Sequence, residues 1–182
     1  MNKLFLSRLA LARLALSRFV ILSALAFLMT ACATTTSTFQ PSNPKASEHW
    51  RLEGKIAMQN DGKMETASLD WQQNYQQYQI RIFGPLGLGA VELDGNPQGV
   101  TLTDNNGKIY QAASAEMLSQ QILGYPLPIE DLVYWLKGVK TKHYHGWSVH
   151  YLSYDQNNMP KLVSASHSSI YLRIFIDKWQ FF

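Results

Sequence analysis

Cysteine is nearly absent: Cys32 stands alone among 182 residues. No disulfide can form within the chain, which excludes a small domain stapled by bridges. Charge is sparse too, at 16% of residues. No clustered positive field of the kind nucleic-acid binders use is visible, so nucleic acid is not an expected partner. Five histidines, His49, His143, His145, His150 and His167, show no metal-ligand spacing beyond His143-x-His145, and a pair two apart is thin support for an ion. A long apolar run is also missing. The one uninterrupted stretch, Phe19 to Leu28, has about ten residues, whereas a membrane-spanning helix needs about 20. Gly84, Gly87 and Gly89 superficially resemble a phosphate loop. However, Ala90 to Asp94 continues them as a strand, and a phosphate cradle leads into a helix N-terminus, so that chemistry is excluded.

What the N-terminus does have is Lys3, Arg8, Arg13 and Arg18 with no acidic residue, then the short apolar run, then small residues. That order is a secretory signal peptide. Leu28-Met29-Thr30-Ala31-Cys32 resembles the lipobox of bacterial lipoproteins, with Met29 where that pattern usually has Leu, Val or Ile. The resemblance implies a signal peptide of residues 1–31 and a mature chain that begins at Cys32. Diacylglyceryl and N-acyl groups (palmitate among them) are then expected on that cysteine, and no other cofactor. Such chains anchor durably, at about 0.8 kcal/mol per buried CH2. Ala33 follows, where an aspartate would mark inner-membrane retention, so the expected address is the periplasmic side of a Gram-negative outer membrane. Cleavage removes four basic residues, leaving 12 Lys and Arg against 13 Asp and Glu. The formal charge falls from +3 to about −1.

Residues 32–47 are Thr-, Ser- and Pro-rich after the lipidated cysteine, a composition that reads as a flexible tether. Fully extended, it reaches roughly 50 Å. Residues 48–182 suffice for one domain with a real core, expected as a monomer. Period-2 alternation dominates from Trp50 onward. Leu52 to Met58, Leu69 to Trp71, Tyr78 to Ile82, Val91 to Leu93 and Val100 to Leu102 each alternate apolar with polar residues, which is the signature of a sheet with one wet face. Asn60-Asp61-Gly62, Gly95-Asn96-Pro97 and Asn105-Asn106-Gly107 supply turn chemistry between them. Two helices follow. Ser114 caps the first and Gly124 ends it, with Leu118 and Ile122 four apart; Pro128, Glu130 and Asp131 open the second, with Ile129, Leu132, Val133 and Leu136 on one stripe and Gly138 as a stop. Strands resume around Trp147 to Tyr151, Lys161 to Ala165 and Leu172 to Ile176. The expected fold is mainly β, a strongly curved antiparallel sheet with the helices against its concave face.

The segment Arg81-Ile-Phe-Gly-Pro-Leu-Gly-Leu-Gly-Ala90 links two strands. Pro85 fixes a turn there whose second central residue is Leu86 or Gly87, and a leucine at its tip is exposed unless something covers it. Two readings stay open on the residues alone: a leucine tucked under a sheet edge, or an apolar finger for acyl chains or a membrane. The inward phase holds Leu69, Trp71, Tyr78, Ile80, Ile82, Val91, Leu93 and Leu102, with Trp135 and Leu136 facing them from the second helix. These ten residues either line an acyl cavity or fill a core. No convergent catalytic group accompanies them, so an enzyme is not expected.

Several stretches together carry a family likeness. Trp71-Gln-Gln, Tyr78-Gln-Ile-Arg-Ile, Gly84-Pro-Leu-Gly87, Val91-Glu-Leu, Val100-Thr-Leu-Thr-Asp-Asn-Asn-Gly107, Tyr125-Pro-Leu-Pro-Ile129, Tyr134-Trp-Leu-Lys-Gly138 and Trp179 resemble, in order and spacing, the LolB family of outer-membrane lipoprotein receptors. The resemblance implies an open, half-closed β-barrel with short helices as a lid over an apolar cavity. It implies that acylated lipoproteins are accepted from the periplasmic carrier LolA and inserted into outer-membrane lipid. It also gives Pro85, Leu86 and Gly87 the role of a membrane-insertion loop, with Leu86 protruding. The family has a helix before its first strand, for which this chain offers little room. The rival reading is a structural or assembly lipoprotein with a filled barrel and no acyl ligand.

Overall fold

A computed structural model describes residues 43–60, 62–87, 89–139 and 146–182. The signal segment, Cys32, the tether up to Ser42, and His143 and His145 lie outside the described residues. So does the side chain of Leu86, whose backbone alone is described. Among the described residues, what precedes the first strand is one 3-10 turn, Pro44–Ala46.

The strands are β1 (His49–Asn60), β2 (Lys63–Asn74), β3 (Gln77–Phe83), β4 (Val91–Asn96), β5 (Gly99–Thr103) and β6 (Ile109–Ala112). Helices α1 (Ala115–Leu123) and α2 (Ile129–Leu136) follow, then β7 (Ser148–Tyr154), β8 (Pro160–His167) and β9 (Ile170–Phe181). All nine strands form one antiparallel sheet in the order β6-β5-β4-β3-β2-β1-β9-β8-β7. The edges β6 and β7 do not pair, so the sheet stays open, as the likeness implied. The first six strands are a consecutive up-and-down meander. The links after β1, β3 and β5 therefore leave from one end of the sheet, and those after β2 and β4 from the other.

Alternation builds the core. On β2, Leu69 and Trp71 are buried while Asp70 is half-buried and Gln72 exposed. On β9, Ile170, Leu172, Ile174 and Ile176 are buried with Phe175 outward. Between Glu53 and Gly54 the β1–β9 pairing shifts register. A Cβ on Gly54 would lie 2.0 Å from the Phe175 carbonyl oxygen, so only glycine lets the two backbones meet there.

The helices close the apolar face. Ser114 accepts a hydrogen bond from the Met117 N–H at 3.2 Å, and Gly124 ends α1 in the left-handed region at φ 85°. In α2, Leu132, Trp135 and Leu136 are buried against β8 and the central strands. One expected contact fails. Ile122 is 40% exposed, so α1 packs through Ala115 and Leu118 instead.

Candidate functional site

Leu69, Trp71, Ile80, Trp135 and Leu136 are almost wholly buried in one continuous apolar cluster. Tyr78, Ile82 and Leu93 pack half-buried against it. Leu102 joins a smaller cluster under α1 with Val100, Ala115 and Leu118. Val91 is half-buried opposite Ile82 at the start of β4. The fold thus brings the eight strand candidates onto the face that the helices cover, and Trp135 and Leu136 meet that face from α2.

At the end where the chain enters β1, aromatic rings form a continuous tier. Tyr78, Trp71, Trp50, Trp179 and Phe181 follow one another with centroids 6.3, 5.8, 5.4 and 5.7 Å apart. Gln73, buried beneath them, accepts from the Trp71 indole at 3.0 Å and donates to the Tyr75 carbonyl at 2.7 Å. The Trp50 Nε1 and the Tyr78 hydroxyl are buried without a hydrogen-bond partner among the described residues. Burial, with the charge of Glu130 adding to it, pushes the Tyr78 phenol well above its usual range. Dry surroundings of this kind suit hydrocarbon better than an ionic or sugar ligand.

Several polar contacts hold the covering helices. The Tyr125 hydroxyl donates to Met58 Sδ at 3.3 Å, bridging the α1–α2 link to β1. The Leu127 N–H donates to Ser119 Oγ at 2.8 Å, and the Ala115 N–H to Glu130 Oε1 at 3.4 Å. Lys137, buried at the end of α2, donates to the Ser47 carbonyl at 3.1 Å, and desolvation lowers its pKa. Sequence reasoning missed both Met58–Tyr125 and Lys137–Ser47, because each joins residues far apart in the chain with no motif to link them.

Pro85–Gly87 is a single 3-10 turn between β3 and β4, at the opposite end from the aromatic tier. The Gly87 N–H donates to the Gly84 carbonyl at 3.1 Å. Gly87 has φ 76°, with no atom within 4 Å of where a Cβ would point. Pro85 and Gly87 are exposed. The loop is therefore a tight, preset bend with its proline and its closing glycine open to solvent.

No group of three or more His, Cys, Asp or Glu that could hold a metal occurs among the described residues. His49 sits edge-on to Tyr75 and His167 stacks on Trp147, so both serve as packing rings. Two clefts open on the polar face of the sheet. One of about 400 Å³ is lined by amides such as Gln72, Asn74 and Gln79; another of about 430 Å³ runs past Lys55, Met64, Arg173 and Phe175. Among the described residues, no helix is long and apolar enough to cross a membrane.

Residues 48–179 match the family described as outer membrane lipoprotein LolB. The outer-membrane lipoprotein LolB of Pseudomonas syringae pv. syringae is 32% identical over 88% of this chain and 95% of its own length. The protein of the same name from Pseudomonas putida is 32% identical over 72% and 74%. That of Coxiella burnetii is 29% identical over 72% and 71%. Among solved structures, a DUF1329 family protein from Desulfovibrio piger covers 75% of this chain and 86% of its own, with a TM-score of 0.45 and 7% identity. By the family match and the length of its relatives' likeness, this chain belongs to the LolB family of outer-membrane lipoproteins.

Proposed function

We propose that this protein, held to the outer membrane by acyl groups on Cys32, receives acylated lipoproteins from LolA and inserts them into the membrane without covalent chemistry. The observation that carries the reading is the continuous apolar face under the helices, with the exposed Pro85–Gly87 turn at one end of the sheet. Acyl chains need a dry surface, and passing them on needs only a rising series of affinities from carrier to receptor to bilayer. Because Trp135 and Leu136 are fully buried in the free state, cargo enters as α1 and α2 lift from the sheet. The Tyr125–Met58 contact that ties the helix pair to β1 is weak, and the Ala115–Glu130 bond joins α1 to α2 so that the two lift together.

The near-zero exposure of Trp50, Leu52, Trp135 and Leu136 also favours a second reading, a structural or assembly lipoprotein whose filled interior never opens. One experiment separates the two. Residues 33–182 are mixed with purified LolA loaded with an acylated lipoprotein, and each protein is pulled down. Cargo moving onto the domain supports the receptor reading. Cargo staying on a competent carrier, with the domain shown folded by circular dichroism, leaves the structural role.

A further inference from the structure

The links after β1, β3 and β5 share one end of the sheet, and the outer two repeat a pattern that the function just proposed does not use. At the β1–β2 hairpin the turn residue Gly62 leads into Lys63 and Met64, the first residues of β2, and at the β5–β6 hairpin Gly107 leads through Lys108 into Ile109, the first residue of β6. In each, a glycine at positive φ, 79° and 77°, is followed by an exposed lysine and then a large apolar side chain in the open. Met64 and Ile109 are each 61% exposed. The Pro85–Gly87 turn leaves from between these two hairpins along the strand order.

Single exposed apolar residues are ordinary. Two of them beside cations at the same end of a sheet are a different matter, since a flexible ammonium with a neighbouring apolar group is what a bilayer interface selects. Among the described residues neither lysine has a carboxylate partner. Asp104 Oδ1 accepts the Asn106 and Lys108 N–H groups at 2.8 and 3.0 Å. Glu65 shares its strand phase with Lys63, two residues away, without an ion pair forming between them, and its charge is also felt at Tyr125. Lys108 Nζ lies 4.6 Å from the centre of the Tyr110 ring, which holds the cation at the hairpin without neutralising it.

We propose that Lys63-Met64 and Lys108-Ile109 form a second lipid contact, one on each side of the Leu86 turn, recognising a membrane surface that bears anionic headgroups. The lysines meet headgroup phosphates while Met64 and Ile109 enter the interface. This end of the domain is then held by three points rather than one, and its attachment depends on lipid charge. The inference rests on the reading that the Leu86 turn meets a membrane.

The test uses the lipid-anchored mature chain in vesicles of phosphatidylethanolamine with or without phosphatidylglycerol. Cys32 is acylated under that reading, so a cysteine introduced at position 64, 86, 109 or 75 carries the only free thiol for an environment-sensitive fluorophore. Position 75 lies at the far end of the sheet and serves as the reference. Labels at 64 and 109 should shift to the blue and be quenched by brominated lipid only with phosphatidylglycerol, and the label at 75 should not change. Combining K63E with K108E should abolish the response at 64 and 109. The proposal is overturned if labels at 64 and 109 behave like that at 75 while the label at 86 is quenched. It is equally overturned if they respond only when LolA is added, which would make the hairpins a protein-docking surface. If the label at 86 also stays in water, the underlying reading of the Leu86 turn has failed.

Discussion

A single hydrogen atom decides what Gly54 can be. Because a Cβ there would sit 2.0 Å from a backbone oxygen of β9, neither partner can swing aside as a side chain would. Gly54→Ala should therefore cost about 2 kcal/mol or more, seen as a lower urea midpoint at unchanged slope. Tyr78 carries a different liability. Its hydroxyl is buried without a partner among the described residues, so Tyr78→Phe should be neutral or stabilising at pH 7. Its folded pKa lies above the ordinary 10.0. Above pH 10 the unfolded chain loses a proton that the folded one keeps, so this contribution is whole below pH 10 and is lost as pH rises further. The variant's stability should thus fall less steeply above pH 10 in denaturant titrations. Tyr125 is pushed up as well, so the slope is reduced, not removed. At the exposed turn, Leu86→Glu should leave the melting curve unchanged yet impair delivery, because a carboxylate does not enter an apolar phase. Normal outer-membrane lipoprotein levels in that strain would sink the role given to Leu86.

The elements differ in how much of their stability is local. Helix α1 depends on its cap, and Ser114→Ala should cost about 1 kcal/mol. Helix α2 has no side-chain cap at Pro128 and depends on burial. Leu136→Ala should cost about 2–5 kcal/mol, and thermal melts of the two variants should rank in that order. The same contrast explains what could be read from the chain. The alternating strands and the Ser114 and Gly124 signals belong to neighbouring residues, so they were legible. Strand β6 was not. It has four residues, lies at the edge, and turns its first apolar residue, Ile109, outward, against the pattern that betrays a buried strand. The turn at Tyr75 also escaped notice, since a tyrosine at φ 53° carries none of the usual glycine or asparagine signal. The proline-fixed turn at 85–87 was visible because proline and glycine mark such bends themselves. Which aromatics would meet was not, because the tier joins Tyr78, Trp71 and Trp50 to Trp179 and Phe181 across register that only pairing sets.

For the whole molecule, the decisive feature is that chain and turn sit at opposite ends. The chain enters β1 beside the aromatic tier, and the links after β1, β3 and β5 lie at the far end of strands as long as 12 residues. Twelve strand residues span roughly 37 Å. If, as proposed, the protein is moored by Cys32 and works with Leu86, it is suspended by its idle end, and its mooring line has to be longer than its hull. Residues 32–47 reach roughly 50 Å at full stretch, enough for the domain to capsize and bring the working end down to the surface that holds it. Removing residues 34–41 would cut that reach to roughly 25 Å, shorter than the strands. Delivery into the membrane that holds the anchor should then collapse, although the domain still folds and still takes cargo from LolA. Adding Cys32→Ala to the shortened chain should restore part of the delivery, because a domain cast off from its mooring is free to turn.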